Sequence, residues 1–163
     1  MEAVLDLAQA IKKNPEAFHD AMHRRVLVMI FEKPSLRTRV SFEAGMCQMG
    51  GDAIYYDMST SPLGKGKETI YDTVKTLSRY ADLIMARLLE HEKMEEMARY
   101  AEIPVINGLT DFSHPCQILS DLLTIREHKG SLKGLILAYL GDAKNNVTHS
   151  LLYGCPKMGI QSE

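Results

Sequence analysis

The chain has 163 residues, of which 45% are hydrophobic and 25% charged, and its net charge is −2. That is enough apolar material for the core of one globular domain, or of one domain and part of another. It leaves no global positive field for nucleic acid, and no apolar run approaches the roughly 20 residues of a membrane span.

In chain order, Val4, Leu5, Leu7, Ala8 and Ile11 lie on one helical stripe that Asn14 and Pro15 close. This opening segment is mildly amphipathic and lacks the apolar stretch of a signal peptide. Residues 16–23 are polar. His19 and His23 are four apart, which allows two imidazoles on one helix face, but a metal site needs a third ligand and none is expected. Residues 26–31, VLVMIF, form a buried strand. Pro34 then turns the chain, and Ser35 is placed to cap a helix that runs towards Met49.

The stretch between them is the chemical centre of the chain. Ser35, Arg37, Thr38 and Arg39 sit where a strand hands over to a helix N-terminus. Free backbone N–H groups and the helix dipole attract an anion there. Arginine's planar fork suits phosphate, and the two hydroxyls add donors. The residues therefore predict a phosphate site built without a glycine-rich loop.

Gly50 and Gly51 end that helix, and residues 53–56 form a second strand. Residues 57–67, DMSTSPLGKGK, form a loop carrying Lys65 and Lys67. This is either a solvated loop or a mobile one that reaches an anion. Helices follow at 69–80 and 90–100, with a third strand at 82–86 between them and Arg87 just past its end. Residues 103–107 form a short strand ended by Gly108. Pro115 suits the first turn of the next helix, which carries Ile118, Leu122 and Ile125 on one stripe. Residues 135–140 form another buried strand. The turn GDAKNN leads into a helix over 147–158, and because it is not G-x-G-x-x-G it carries no dinucleotide fingerprint.

Strands alternating with helices predict an α/β fold, a parallel sheet covered on both faces in three α/β/α layers. Ligands of such sheets bind beyond the C-terminal strand ends. Arg87, His114 and Gln117 are expected there beside the Ser35 cluster. Arg87 and His114 can polarise a carbonyl, and Gln117 can accept from an amino group. Taken singly each has a plainer role: a strand-end arginine pairs with a carboxylate, a histidine before proline starts a helix, a glutamine lies on the surface. Cys47, Cys116 and Cys155 are too few and too scattered for a disulfide framework or a zinc site. They predict a cytoplasmic protein with reduced thiols.

The segments FEKPSLRTRVSFE, LGKGKET, DLIMAR, PVINGLTDFSHPCQ, SDLLTIREH and GDAKNNVTHSL, in that order, resemble the ornithine carbamoyltransferases of the aspartate/ornithine carbamoyltransferase family. The resemblance covers nearly the whole chain. It implies a carbamoyl-phosphate-binding domain over 1–133 and the truncated start of an ornithine-binding domain over 134–163. By resemblance, Ser35, Arg37, Thr38 and the backbone of Leu36 hold the phosphate, with Arg87 also on it. Arg87, Thr38 and His114 polarise the carbamoyl carbonyl, Gln117 contacts its amino group, and Asn146 matches an ornithine-binding asparagine. The implied reaction gives citrulline and phosphate, in arginine biosynthesis, with no cofactor and no metal, in a homotrimer whose loop 59–67 crosses between subunits.

The chain departs from the family in three places. Leu36 stands where threonine is common, and it serves through its backbone. Pro62 stands where many relatives carry a glutamine that reaches a neighbouring site, leaving Lys65 or Lys67 as substitutes. The Asp-x-x-x-Ser-Met-Gly and His-Cys-Leu-Pro loops of the acceptor domain have no counterpart. The chain alone is therefore expected to bind the donor without carbamoylating ornithine. The alternatives are a relative with another acceptor (putrescine, an acylated ornithine or aspartate) and a non-catalytic phosphate-binding or oligomerisation module.

Overall fold

Adjacent apolar residues in β1 (Val26–Phe31) alternate between two cores, the signature of a strand buried on both faces. Val28 and Ile30 join Val74 of α3 (Ile70–Leu77) and Met94 and Met97 of α4 (His91–Tyr100) on one side. Leu27, Met29 and Phe31 meet Phe42 and Met46 of α2 (Leu36–Gln48) on the other. The structure, a computed structural model, describes residues 1–162.

The main sheet is wholly parallel in the order β2-β1-β3-β4, adding β2 (Asp52–Asp57), β3 (Leu83–Arg87) and β4 (Val105–Leu109). It belongs to one of two compact units, Glu16–Thr110. The other joins Met1–Pro15 to the chain from Asp111 onward. There α1 (Glu2–Lys13) packs on α5 (Pro115–Lys129), and α5 on α6 (Asn146–Lys157), around Leu5, Ile118, Leu122, Leu151 and Cys155. Parallel strands and covering helices agree with the α/β class read from the sequence.

Three local expectations need correction. The strand at 103–107 runs on through Gly108 to Leu109. Ala86 pairs with Asn107 and Arg87 with Leu109, so Gly108 is the extra residue of a bulge. Any side chain at Gly108 would run into the Met85 sulfur and the Ala86 carbonyl, so the glycine continues the strand where a larger residue would end it. The buried strand expected over 135–140 is only β5 (Ile136–Leu137), paired with β6 (Gln161–Ser162). Ile136 is 62% exposed and Leu140 93% exposed. The run is apolar enough for burial on both faces, but Leu135 and Leu137 pack on one side only. Finally, the 57–67 loop is wound. A 3₁₀ turn spans Met58–Thr60, the Ser61 hydroxyl accepts from the Gly64 N–H, and the Lys67 N–H donates to the Pro62 carbonyl.

Candidate active site

Phe31 and Arg87 are register partners at the ends of β1 and β3, and the Glu32 N–H donates to the Arg87 carbonyl at 2.9 Å. The chain from β1 passes Pro34 and enters α2 with Ser35 as its cap. Ser35 Oγ accepts from the Thr38 N–H at 3.4 Å and donates to Thr38 Oγ1 at 3.1 Å. The first-turn N–H groups of Leu36 and Arg37 have no partner within the helix. Two hydroxyls, open amides and a guanidinium thus cluster at one helix N-terminus.

Arg87 faces this cluster. Its guanidinium has its pKa lowered, first by burial and then by the charge of Arg37. Its buried Nε has no hydrogen-bond partner. Among the described residues neither Arg37 nor Arg87 pairs with a carboxylate. The ordinary role of a strand-end arginine, an ion pair, is therefore not the one filled here. Two unneutralised guanidinium groups near a helix N-terminus are electrostatically unfavourable without an anion and favourable with one.

Arg39 does not join them. It pairs with Glu43 at 3.0 Å, and its guanidinium lies 3.9 Å from the centroid of the Tyr55 ring. One turn of helix beyond Ser35 is enough to swing it onto the flank of β2. Of the two arginines expected to add charge to the phosphate site, Arg39 is turned to these other partners. Lys65 and Lys67 are exposed on the wound loop.

The second unit holds the remaining candidates. His114 is the N-cap of α5 and Pro115 occupies its first turn. The His114 N–H donates to Ser150 Oγ at 2.8 Å, and Ser150 Oγ in turn donates to the Asn146 carbonyl at 2.8 Å. One buried hydroxyl therefore joins the N-termini of α5 and α6, where His114 and Asn146 stand. Gln117 is exposed, and its Nε2 donates to Asp121 at 2.8 Å. Asn145, the neighbour of Asn146, is structural: its side-chain oxygen caps α6 and its nitrogen donates to Tyr139 and to the Asp142 carbonyl. Cys116 is a partly buried thiol whose pKa burial pushes up.

Sequence reasoning overlooked Ser150 and Glu32. Ser150 sits four residues after Asn146, a spacing that puts its hydroxyl on the Asn146 carbonyl. Glu32 is a carboxylate beside a phosphate signature, and such a residue has to be neutralised by something.

The family model for the aspartate/ornithine carbamoyltransferase carbamoyl-phosphate binding domain matches residues 1–127. The chain belongs to the aspartate/ornithine carbamoyltransferase family. It is 58% identical over 153 residues to ornithine carbamoyltransferase of Bacillus subtilis, a match covering 94% of this chain and 47% of that protein. Among solved structures, ornithine carbamoyltransferase from Pyrococcus furiosus superposes with a TM-score of 0.90 at 47% identity, over 98% of this chain and 52% of that one. Aspartate transcarbamoylase from Trypanosoma cruzi, solved with carbamoyl phosphate and aspartate, gives 0.87 at 32% identity, over 98% and 54%. The chain spans about half the length of the relatives it matches. Among the described residues no helix is long and apolar enough to cross a membrane, and no group of three His, Cys, Asp or Glu side chains could hold a metal ion.

Proposed function

We propose that this chain is the donor-binding half of an ornithine carbamoyltransferase. Arg37 and Arg87 carry the proposal: the charge of Arg37 reaches the guanidinium of Arg87, and among the described residues neither pairs with a carboxylate. Ser35, Arg37, Thr38 and the Leu36 amide hold the phosphate of carbamoyl phosphate, and Arg87 spans phosphate and carbonyl. His114 donates to the carbamoyl oxygen, Gln117 accepts from the carbamoyl amine, and Asn146 takes part of the acceptor. Positive charge on the leaving phosphate and donors aimed at the carbonyl oxygen stabilise the transition state, so no covalent enzyme intermediate is needed.

Ornithine is the acceptor this reading favours. Relatives at 58% and 53% identity bear that name, whereas an aspartate transcarbamoylase is 32% identical. The reaction then yields citrulline and phosphate within arginine metabolism, in the cytoplasm. Residues 1–133 form the donor domain, close to the limit of the family match at 127, and 134–163 begin the acceptor domain. The working assembly is a homotrimer in which loop 59–67 reaches a neighbour.

These 163 residues by themselves bind the donor and do not transfer it. Transfer needs the amine held about 3–3.5 Å from the carbamoyl carbon, an alignment worth roughly 7–11 kcal/mol, and one asparagine supplies a single contact. Calorimetric titration with a stable carbamoyl-phosphate analogue, beside a citrulline assay at saturating ornithine, tests both halves. Analogue binding with citrulline formation at background is expected. Absence of binding would sink the donor assignment, and turnover near 1 per second or above, within the usual enzyme range, would sink the claim of inactivity. Sedimentation of the chain at high concentration tests the trimer, and a monomer throughout would defeat it.

A further inference from the structure

Glu32 is the one acidic residue inside FEKPSLRTR, and it follows the strand end that leads to the phosphate cluster. A carboxylate there would be expected to neutralise Arg37 or Arg87 and so occupy the anion site. It does neither. Its Oε2 accepts from the Leu89 N–H at 2.7 Å, and its Oε1 lies 3.3 Å from Lys93 Nζ. Lys93 is held by Glu90 at 2.8 Å, and these carboxylates raise its pKa, Glu90 foremost. The Glu32 side chain is only 18% exposed.

The same residue makes two contacts with the chain at and just after Arg87. The Glu32 N–H donates to the Arg87 carbonyl at 2.9 Å, while its carboxylate takes the amide of Leu89, two residues further on. Arg87 is the last residue of β3, paired with Phe31 of β1 and, past the Gly108 bulge, with Leu109 of β4. β3 ends at Arg87, and beyond that end the Glu32 carboxylate holds the Leu89 amide.

We infer that Glu32 is a positioning residue for the phosphate site: it clamps the Arg87–Leu89 backbone at the end of β3 while Lys93 keeps its carboxylate off the two arginines. The inference rests on the assignment of Arg37 and Arg87 to phosphate. It makes an unusual demand, because deleting a negative charge beside an anion site ordinarily tightens anion binding, whereas losing the clamp loosens it.

That opposition supplies the test, a calorimetric titration of the 163-residue chain and its variants with inorganic phosphate, beside their melting temperatures. Glu32→Gln loses the charge but keeps a side-chain oxygen for the Leu89 N–H, and should bind phosphate at least as tightly as the unaltered chain. Glu32→Asp keeps the charge but withdraws the oxygen by one methylene, and should bind at least fivefold more weakly. Glu32→Ala should weaken binding as Glu32→Asp does, and Glu32→Asp carries the comparison if the alanine variant does not fold. A purely electrostatic role predicts tighter binding for both Gln and Ala and no change for Asp, and that pattern overturns the inference. Lowered melting temperatures with phosphate affinity unchanged in all three variants overturn it as well. Failure of the unaltered chain to bind phosphate would overturn the assignment of the site and this inference with it.

Discussion

The guanidinium of Arg39 lies 3.9 Å from the centroid of the Tyr55 ring and is paired with Glu43. Arg37, two residues earlier, has no such partner among the described residues, and its charge reaches Arg87. Two arginines in one motif thus have unlike roles. Arg37→Ala should remove a charge-assisted fork from phosphate and cost about 2–4 kcal/mol of binding. Arg39→Ala should leave phosphate affinity within about twofold and instead cost up to ~1 kcal/mol of stability, from an exposed ion pair and a ring contact. Calorimetry with phosphate and urea denaturation separate the two. Equal losses of affinity would refute the division.

The motif made the strand-to-helix junction capped by Ser35 legible in the sequence, and the fate of Arg39 shows where legibility stops. Spacing placed Ser35 as a cap and Arg37 beside it because those are first-turn effects. The partner of a side chain one turn on depends on which strand lies alongside, and residue order does not carry that. Gly108 is similar: local rules end a strand there, while the approach of Met85 from β3 lets the strand continue as a bulge. Apolar runs located β1 and β3 well because both are buried on two faces. The same rule over-read β5, whose apolarity does not reveal that one side lacks cover.

Ser150 offers a test in the second unit. Its hydroxyl accepts from the His114 N–H and donates to the Asn146 carbonyl. Ser150→Ala leaves a partly buried N–H without that acceptor and should cost about 1–3 kcal/mol in urea denaturation. Ser150→Thr should be much milder. It keeps the hydroxyl, and Ser150 borders a cavity of about 200 Å³, lined also by Met1, Pro115, Ile118 and Gly154, with room for one methyl group. A threonine variant as unstable as the alanine would show that the hydroxyl is not what matters.

Asp82 gives the chain an acid-sensitive joint. Its carboxylate accepts from the Val26 N–H at 2.9 Å, at the first residue of β1, and from Arg25 at 2.6 Å. Those bonds, the backbone one foremost, lower its pKa below the ordinary 3.8. A group depressed in the folded state adds stability above its unfolded pKa and loses it as pH falls through the folded value. Asp82→Asn should therefore be less stable at neutral pH and lose less further stability below about pH 4. Denaturation midpoints at several pH values check this. Parallel acid limbs in the two proteins would count against it.

The thiols should react in a fixed order. Cys47 is exposed, whereas burial raises the pKa of Cys116 and of Cys155, the latter with help from Asp121. Thiolate is the reactive form. At about pH 8 one thiol should react with a disulfide reagent well ahead of the other two, and Cys47→Ser should abolish that fast phase. A fast phase surviving in the serine variant would contradict the order.

The strand order β2-β1-β3-β4 also bears on how the chain assembles as it is made. β1 emerges first and then meets β2 along one edge and β3 along the other, with Val28 opposite both Ile54 and Ile84. β4 arrives last and joins β3. Every newcomer finds its partner already synthesised and its edge still open. Parallel pairing is slow because a crossover must close before any pairing forms. Here each closure is made once, in order, on a template that is already present. A nascent chain released just past β3 should hold a three-stranded sheet, whereas a chain entering with β1 removed would have nothing on which to build.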